Sequence, residues 1–139
     1  MKPFFLLFFG LSTLLISAQK QKLNEGLKKE LDEIMRLDQG YRMLFDTEIT
    51  PEKKDEILKD LHIDKEEFRK KDWQLVAEQD SINLHKIENI ISKYGYPGKS
   101  LVGEPTNRAV WYVIQHSKKI GKYLPIIKEA GEKKEIPFT

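Results

Sequence analysis

The chain has 139 residues, about 40% apolar and 33% charged, which sizes it for one small domain rather than two. Its 24 basic and 22 acidic side chains are interspersed and leave a formal charge of +2, so no nucleic-acid or membrane-surface footprint is written into the composition. It has no cysteine, which excludes a disulfide framework, a thiolate nucleophile and a lipid-modified cysteine.

Met1-Lys2 supplies a short positive start, Pro3 to Ile16 an apolar run, and Ser17-Ala18 the small residues of a cleavage site. That pattern predicts a signal peptide over 1–18, because the run is shorter than the roughly 20 apolar residues that span a bilayer. The expected product is a single helical domain over 19–139 with no membrane span, exported to the periplasm or beyond.

From Lys22 to Phe45 the apolar residues recur at helical spacing through Leu23, Leu27, Leu31, Ile34, Leu37, Tyr41 and Leu44. Asp38 falls on or beside that stripe, with Arg42 one turn further along. The plain reading of these two is an intrahelical ion pair on a solvated edge. Thr50-Pro51-Glu52 is a helix start, giving a short polar helix through Leu61. Asp64, followed three residues later by Glu67, opens a long helix to about Lys93. Phe68, Leu75, Val76, Ile82, Ile87, Ile90, Ile91 and Tyr94 mark its buried side, and steps of three and four from Val76 to Ile90 pass through Gln79 and Asn83, polar groups that need partners.

Tyr94-Gly95-Tyr96-Pro97-Gly98 ends that helix and reverses the chain. Glu104-Pro105-Thr106-Asn107 then reads as a new start, with Pro105 at or near the first helical position and Ala109 to Ile114 apolar on most faces. Gln115, His116 and Ser117 follow directly. A last helix runs through Tyr123 to Ile127, with Pro125 placed in its first turn and Gly131 as a stop, and the tail from Glu132 is expected to fray. The fold class is therefore all-α, a small bundle of four or five helices.

The order Asp38-Gln39-x-x-Arg42, Asp80-x-x-Asn83, Tyr94-Gly95-Tyr96-Pro97-Gly98, Gly103-Glu104 and Gln115-His116-Ser117 resembles an exported bacterial family, frequent in Bacteroidetes, catalogued as a domain of unknown function. The likeness covers Leu23 to Ile136. It implies no activity, since the family has none assigned. Relatives continue with a segment carrying Asp-Arg and Tyr-Gly-x-Gln, so the resemblance implies that this chain is short at its C-terminus.

Two functions follow from the residues themselves. One is a non-catalytic domain that binds a small molecule or a protein through Arg42, Gln79, Asn83 and Gln115, with Trp73, Tyr96, Trp111 and Tyr112 as contact area. The other is a small hydrolase in which His116 acts as general acid or base and Asp38 orients it, since imidazole titrates near working pH. No G-x-S-x-G or H-E-x-x-H motif is present, and His62, His85 and His116 do not stand at metal-ligand spacing, so neither a metal nor a cofactor is expected. The two functions differ in one geometric requirement: the enzyme needs a carboxylate within hydrogen-bond reach of His116 in an open cleft.

Overall fold

The structure, a computed structural model, describes residues 22–137; the signal peptide expected over 1–18 lies outside them. The described residues form an all-α bundle: α1 Glu25–Met43, α2 Pro51–Asp60, α3 Lys65–Tyr94, α4 Lys99–Val102, α5 Ala109–Gln115 and α6 Ile120–Glu132, with a 3-10 turn Thr106–Arg108 leading into α5. None of these helices is long and apolar enough to cross a membrane.

Local chemistry sets the helix ends. The first turns of α1, α2 and α3 are capped by side-chain oxygens of Asn24, Thr50 and Asp64, which accept from backbone N–H groups that have no partner within the helix. At the other end of α3, Gly95 takes a φ of 71°, where a side chain would be strained, and its N–H closes the last turn onto Ile91. The five helices expected from the sequence are all present, and α4 adds a single turn that no periodicity announces.

Three differences from the sequence reading have physical causes. Pro105 is not the first residue of α5; it follows a cis peptide bond and caps the 3-10 turn instead. Pro125 lies beyond the first turn of α6, inside the helix. It is accommodated because the carbonyl its missing N–H leaves free belongs to Gly121, which is exposed and uncrowded, so water satisfies that group. The tail, finally, is docked rather than frayed. The Glu135 carbonyl accepts from Lys99 N–H and Asn107 Nδ2, the Glu135 carboxylate accepts from Ser100 N–H, and Ile136 is buried. Gly98 permits this contact, since a Cβ there would collide with the Glu135 side chain.

Helices α1, α3 and α5 pack on one another in the centre, while α2 covers one end of α1 and α6 packs on α5. The apolar side chains divide into two clusters. Leu27, Leu31, Ile34, Ile87, Ile90 and the inner face of α5 form the larger one; Tyr41, Leu44, Ile57, Leu58, Leu61 and Val76 form the smaller. Along α1 the chain passes from the larger cluster at Ile34 to the smaller at Tyr41, and along α3 it passes back from Val76 to Ile87. The two helices thus run antiparallel. Between the clusters, on both helices, the residues that fall inside are polar: Asp38 on α1 and Asn83 on α3. A polar seam therefore crosses an otherwise apolar bundle.

Candidate functional site

The seam is built around Asp38. Its side chain is 1% exposed, and both carboxylate oxygens are engaged: Oδ2 accepts from Gln39 Nε2 at 2.6 Å, while Oδ1 lies 3.3 Å from His116 Nδ1 and 3.3 Å from Arg42 Nη1. Arg42 also donates from Nη1 to the Asp38 backbone carbonyl at 2.9 Å, from Nη2 to both oxygens of Asp80 at 3.0 Å, and from Nε to His116 Nε2 at 3.2 Å. That last bond fixes the imidazole. With Nε2 accepting, the ring proton sits on Nδ1 and is donated to Asp38.

His116 reaches this position because α5 runs in the direction of α1. Thr106, ahead of α5, donates its hydroxyl to Asp32 near the start of α1, and His116, at the far end of α5, meets Asp38 further along. The imidazole thus leaves the apolar interior as the helix ends. Its side chain is 29% exposed and not the fully inward ring that the stripe position suggests. Ser117 closes this end of the helix, its hydroxyl donating to the Ile114 carbonyl.

Burial pushes the Asp38 carboxyl above its ordinary value, because a carboxylate removed from water loses solvation; Arg42, Gln39 and His116 oppose that rise without cancelling it. The pair expected on a solvated edge is therefore a buried one. Only the outer half of the cluster, Arg42, Asp80 and His116, meets solvent.

Two clefts open there and share Ala77, Asp80 and His116. One, of about 350 Å³, is lined by Arg42, Trp73, Val76, Ala77, Asp80 and His116. The other, of about 430 Å³, extends past Ser81, Leu84 and Val113 to Ser117, Lys118 and Lys119. Of the residues proposed from the sequence, Asp38, Arg42 and His116 converge. Gln79 and Asn83 do not join them: Gln79 Nε2 donates to Asn83 Oδ1 at 2.9 Å within α3, and Asn83 is fully buried with its Nδ2 unpartnered. Gln115 is half-buried and enters none of the cluster's hydrogen bonds. Tyr96 is a core residue whose hydroxyl donates to the Asn107 carbonyl, and Trp111 packs against the larger apolar cluster. Asp80 is the functional-site residue that periodicity under-weighted. Its signal was indirect, a carboxylate beside the buried stripe of α3, while the arginine on the facing helix was read as a partner of Asp38.

A second polar group, absent from the sequence reading, joins α3 to α6. Glu88 accepts from Lys119 Nζ at 2.9 Å and from the Tyr123 hydroxyl at 2.7 Å, with Lys122 Nζ at 3.3 Å. These donors, Lys119 foremost, hold the Glu88 carboxyl down at about 2. A depressed carboxyl stabilises the fold fully above its unfolded value near 4.5, and that stabilisation is lost as the pH falls toward about 2. Solvent reaches the group, so its contribution is expected to be about 1 kcal/mol rather than the full linkage value. Glu88→Gln should accordingly shift the urea midpoint at pH 7 and leave it unchanged at pH 2. An equal shift at both pH values would show that packing, not charge, carries the contact.

The chain matches no family model, no curated protein and no solved structure.

Proposed function

We infer that this chain is a non-catalytic binding domain whose ligand, a small molecule or a segment of a protein, sits in the paired clefts around Asp80 and His116. One observation carries the reading: the His116 Nε2 lone pair already accepts from the Arg42 guanidinium, which is itself held by Asp38 and Asp80. A base in that state abstracts no proton without first losing Arg42. What the cluster offers is instead a set of locked side chains at the wall of an open cleft, the arrangement that binding without rearrangement requires. The Met1 to Ala18 pattern supports placing the domain outside the cytoplasm. N-terminal sequencing of the exported product should begin within two residues of Gln19; an intact Met1 start on that product would overturn the placement.

The hydrolase reading keeps one specific support, the approach of Asp38 Oδ1 to His116 Nδ1 at the edge of a cleft. His116→Asn separates the two. The side chain is partly exposed and Asp38 keeps Arg42 and Gln39, so the variant should lose no more than about 1 kcal/mol of stability in urea unfolding. Ligands found by screening ¹⁵N-labelled protein against a fragment library should shift the backbone resonances of Ala77, Asp80 and His116, and should weaken in the variant. Hydrolysis of chromogenic ester or phosphate substrates by the wild type, lost in His116→Asn, would reject the binding domain in favour of the enzyme. A loss of several kcal/mol would instead make His116 structural.

A further inference from the structure

The smaller cleft contains a feature that the polar cluster does not use. Trp73 is 62% exposed, the most exposed large apolar side chain among the described residues, and yet it is held in place: its indole stacks on Phe45 with ring centroids 4.0 Å apart and planes inclined by 19°. Phe45 is in turn braced by Phe68 and packs on the smaller apolar cluster. The backbone at Asp72 departs from helical geometry, so α3 kinks immediately before Trp73. The result is an indole with one face supported from below, lining a cleft whose other walls are Arg42, Asp80 and His116.

The chemistry of those walls narrows the ligand. Arg42 is shared between Asp80 and the buried Asp38, so the cleft offers no free cation to an anionic ligand and suits a neutral one. The guanidinium donors are already engaged by Asp38, Asp80 and His116. An ionised carboxylate accepts at about four positions, of which Arg42 occupies two on Asp80, so acceptor capacity remains at the cleft surface and suits groups that donate, such as hydroxyls.

We propose that the cleft between Trp73 and the Arg42–Asp80 pair is a carbohydrate-binding subsite that takes a neutral pyranose. The C–H groups on one face of such a ring are apolar and weakly positive, and they stack on the electron-rich face of an indole. Its hydroxyls, directed sideways, donate to the Asp80 carboxylate. The assignment rests on the binding reading above, because it names the ligand class of the same clefts.

The test is titration of ¹⁵N-labelled protein with cellobiose, maltose and N,N′-diacetylchitobiose, with adenine as a flat ligand that lacks hydroxyls, following the Trp73 indole N–H and the Asp80 and His116 amides. At least one disaccharide should shift the Trp73 indole resonance saturably. Trp73→Ala should weaken that disaccharide about tenfold, Trp73→Phe should retain most of the affinity, and the exposed position leaves the melting temperature of both close to wild type. Asp80→Asn should weaken binding as well, since it removes acceptor capacity from the hydroxyl contact. If fragments move Asp80 and His116 while no disaccharide moves Trp73, the sugar assignment is overturned and the binding reading stands. A response to adenine alone overturns it in favour of a planar ring. No response at Trp73, Asp80 or His116 to any compound overturns both.

Discussion

Arg42→Ala is expected to cost about 3–5 kcal/mol, because it strands a buried carboxylate. Asp38 is 1% exposed and keeps only Gln39 and His116 once the guanidinium is gone. Asp80 loses its partner too, but solvent reaches it and the loss there is small. The effect should depend on pH in a definite direction. Burial already raises the Asp38 carboxyl, and losing Arg42 raises it further, so the folded state of the variant binds this proton more tightly than the unfolded chain does. A raised carboxyl leaves its stability deficit fully present above the folded value and relieves it as the pH falls, so the variant should recover part of its loss in acid. Urea unfolding at pH 7 and pH 4 measures both. The double variant Asp38→Leu/Arg42→Leu should be markedly more stable than Arg42→Ala, since removing both charges leaves nothing buried unpaired. A loss below 1 kcal/mol in Arg42→Ala would mean that water reaches Asp38 and that the seam is not closed.

The second large effect is expected at Ile114. This side chain is fully buried where α5 packs between α1 and α3, two residues before the histidine. Ile114→Ala should cost about 2–5 kcal/mol and Ile114→Val about 0.5–1.5 kcal/mol, the difference reflecting the cavity left when three helices cannot collapse around the gap. Ile82, which the periodicity places on the buried side of α3, is half-exposed in the assembled bundle, and Ile82→Ala should stay within about 0.5 kcal/mol. Equal losses at Ile114 and Ile82 would contradict the packing described here. The comparison also bears on the site. His116 is carried by the last turn of α5, so its approach to Asp38 depends on that helix being seated.

Much of this architecture is readable one segment at a time. The stripe of α1, the Thr50 and Asp64 caps, the Gly95 reversal and the apolar run of α5 all depend on residues within about four positions of one another, and for that reason sequence periodicity finds them. The same stripes identified Asn83 as a polar group facing inward, whereas Asp38, read on a solvated edge, is buried as well. They could not identify partners. A stripe shows which side of a helix is turned to its neighbours, but the rotation and axial offset of those neighbours are set by packing across the whole bundle. Gln79, which the stripe showed only to need a partner, bonds within its own helix to Asn83, while Arg42 supplies the donor that His116 accepts.

The sequence by itself determined the all-α class and the five main helices. Only the tertiary structure decided that Asp38 is buried and meets His116 across 78 residues, that Arg42 bridges to Asp80 across 38, that Glu135 docks beside Gly98, and that Trp73 stacks on Phe45 while lining a cleft. Each of these contacts joins segments that have no local preference for one another. They form because burying two apolar clusters leaves one register of α1, α3 and α5 in which the inward polar groups find partners, and that condition belongs to the assembled helices rather than to any one of them.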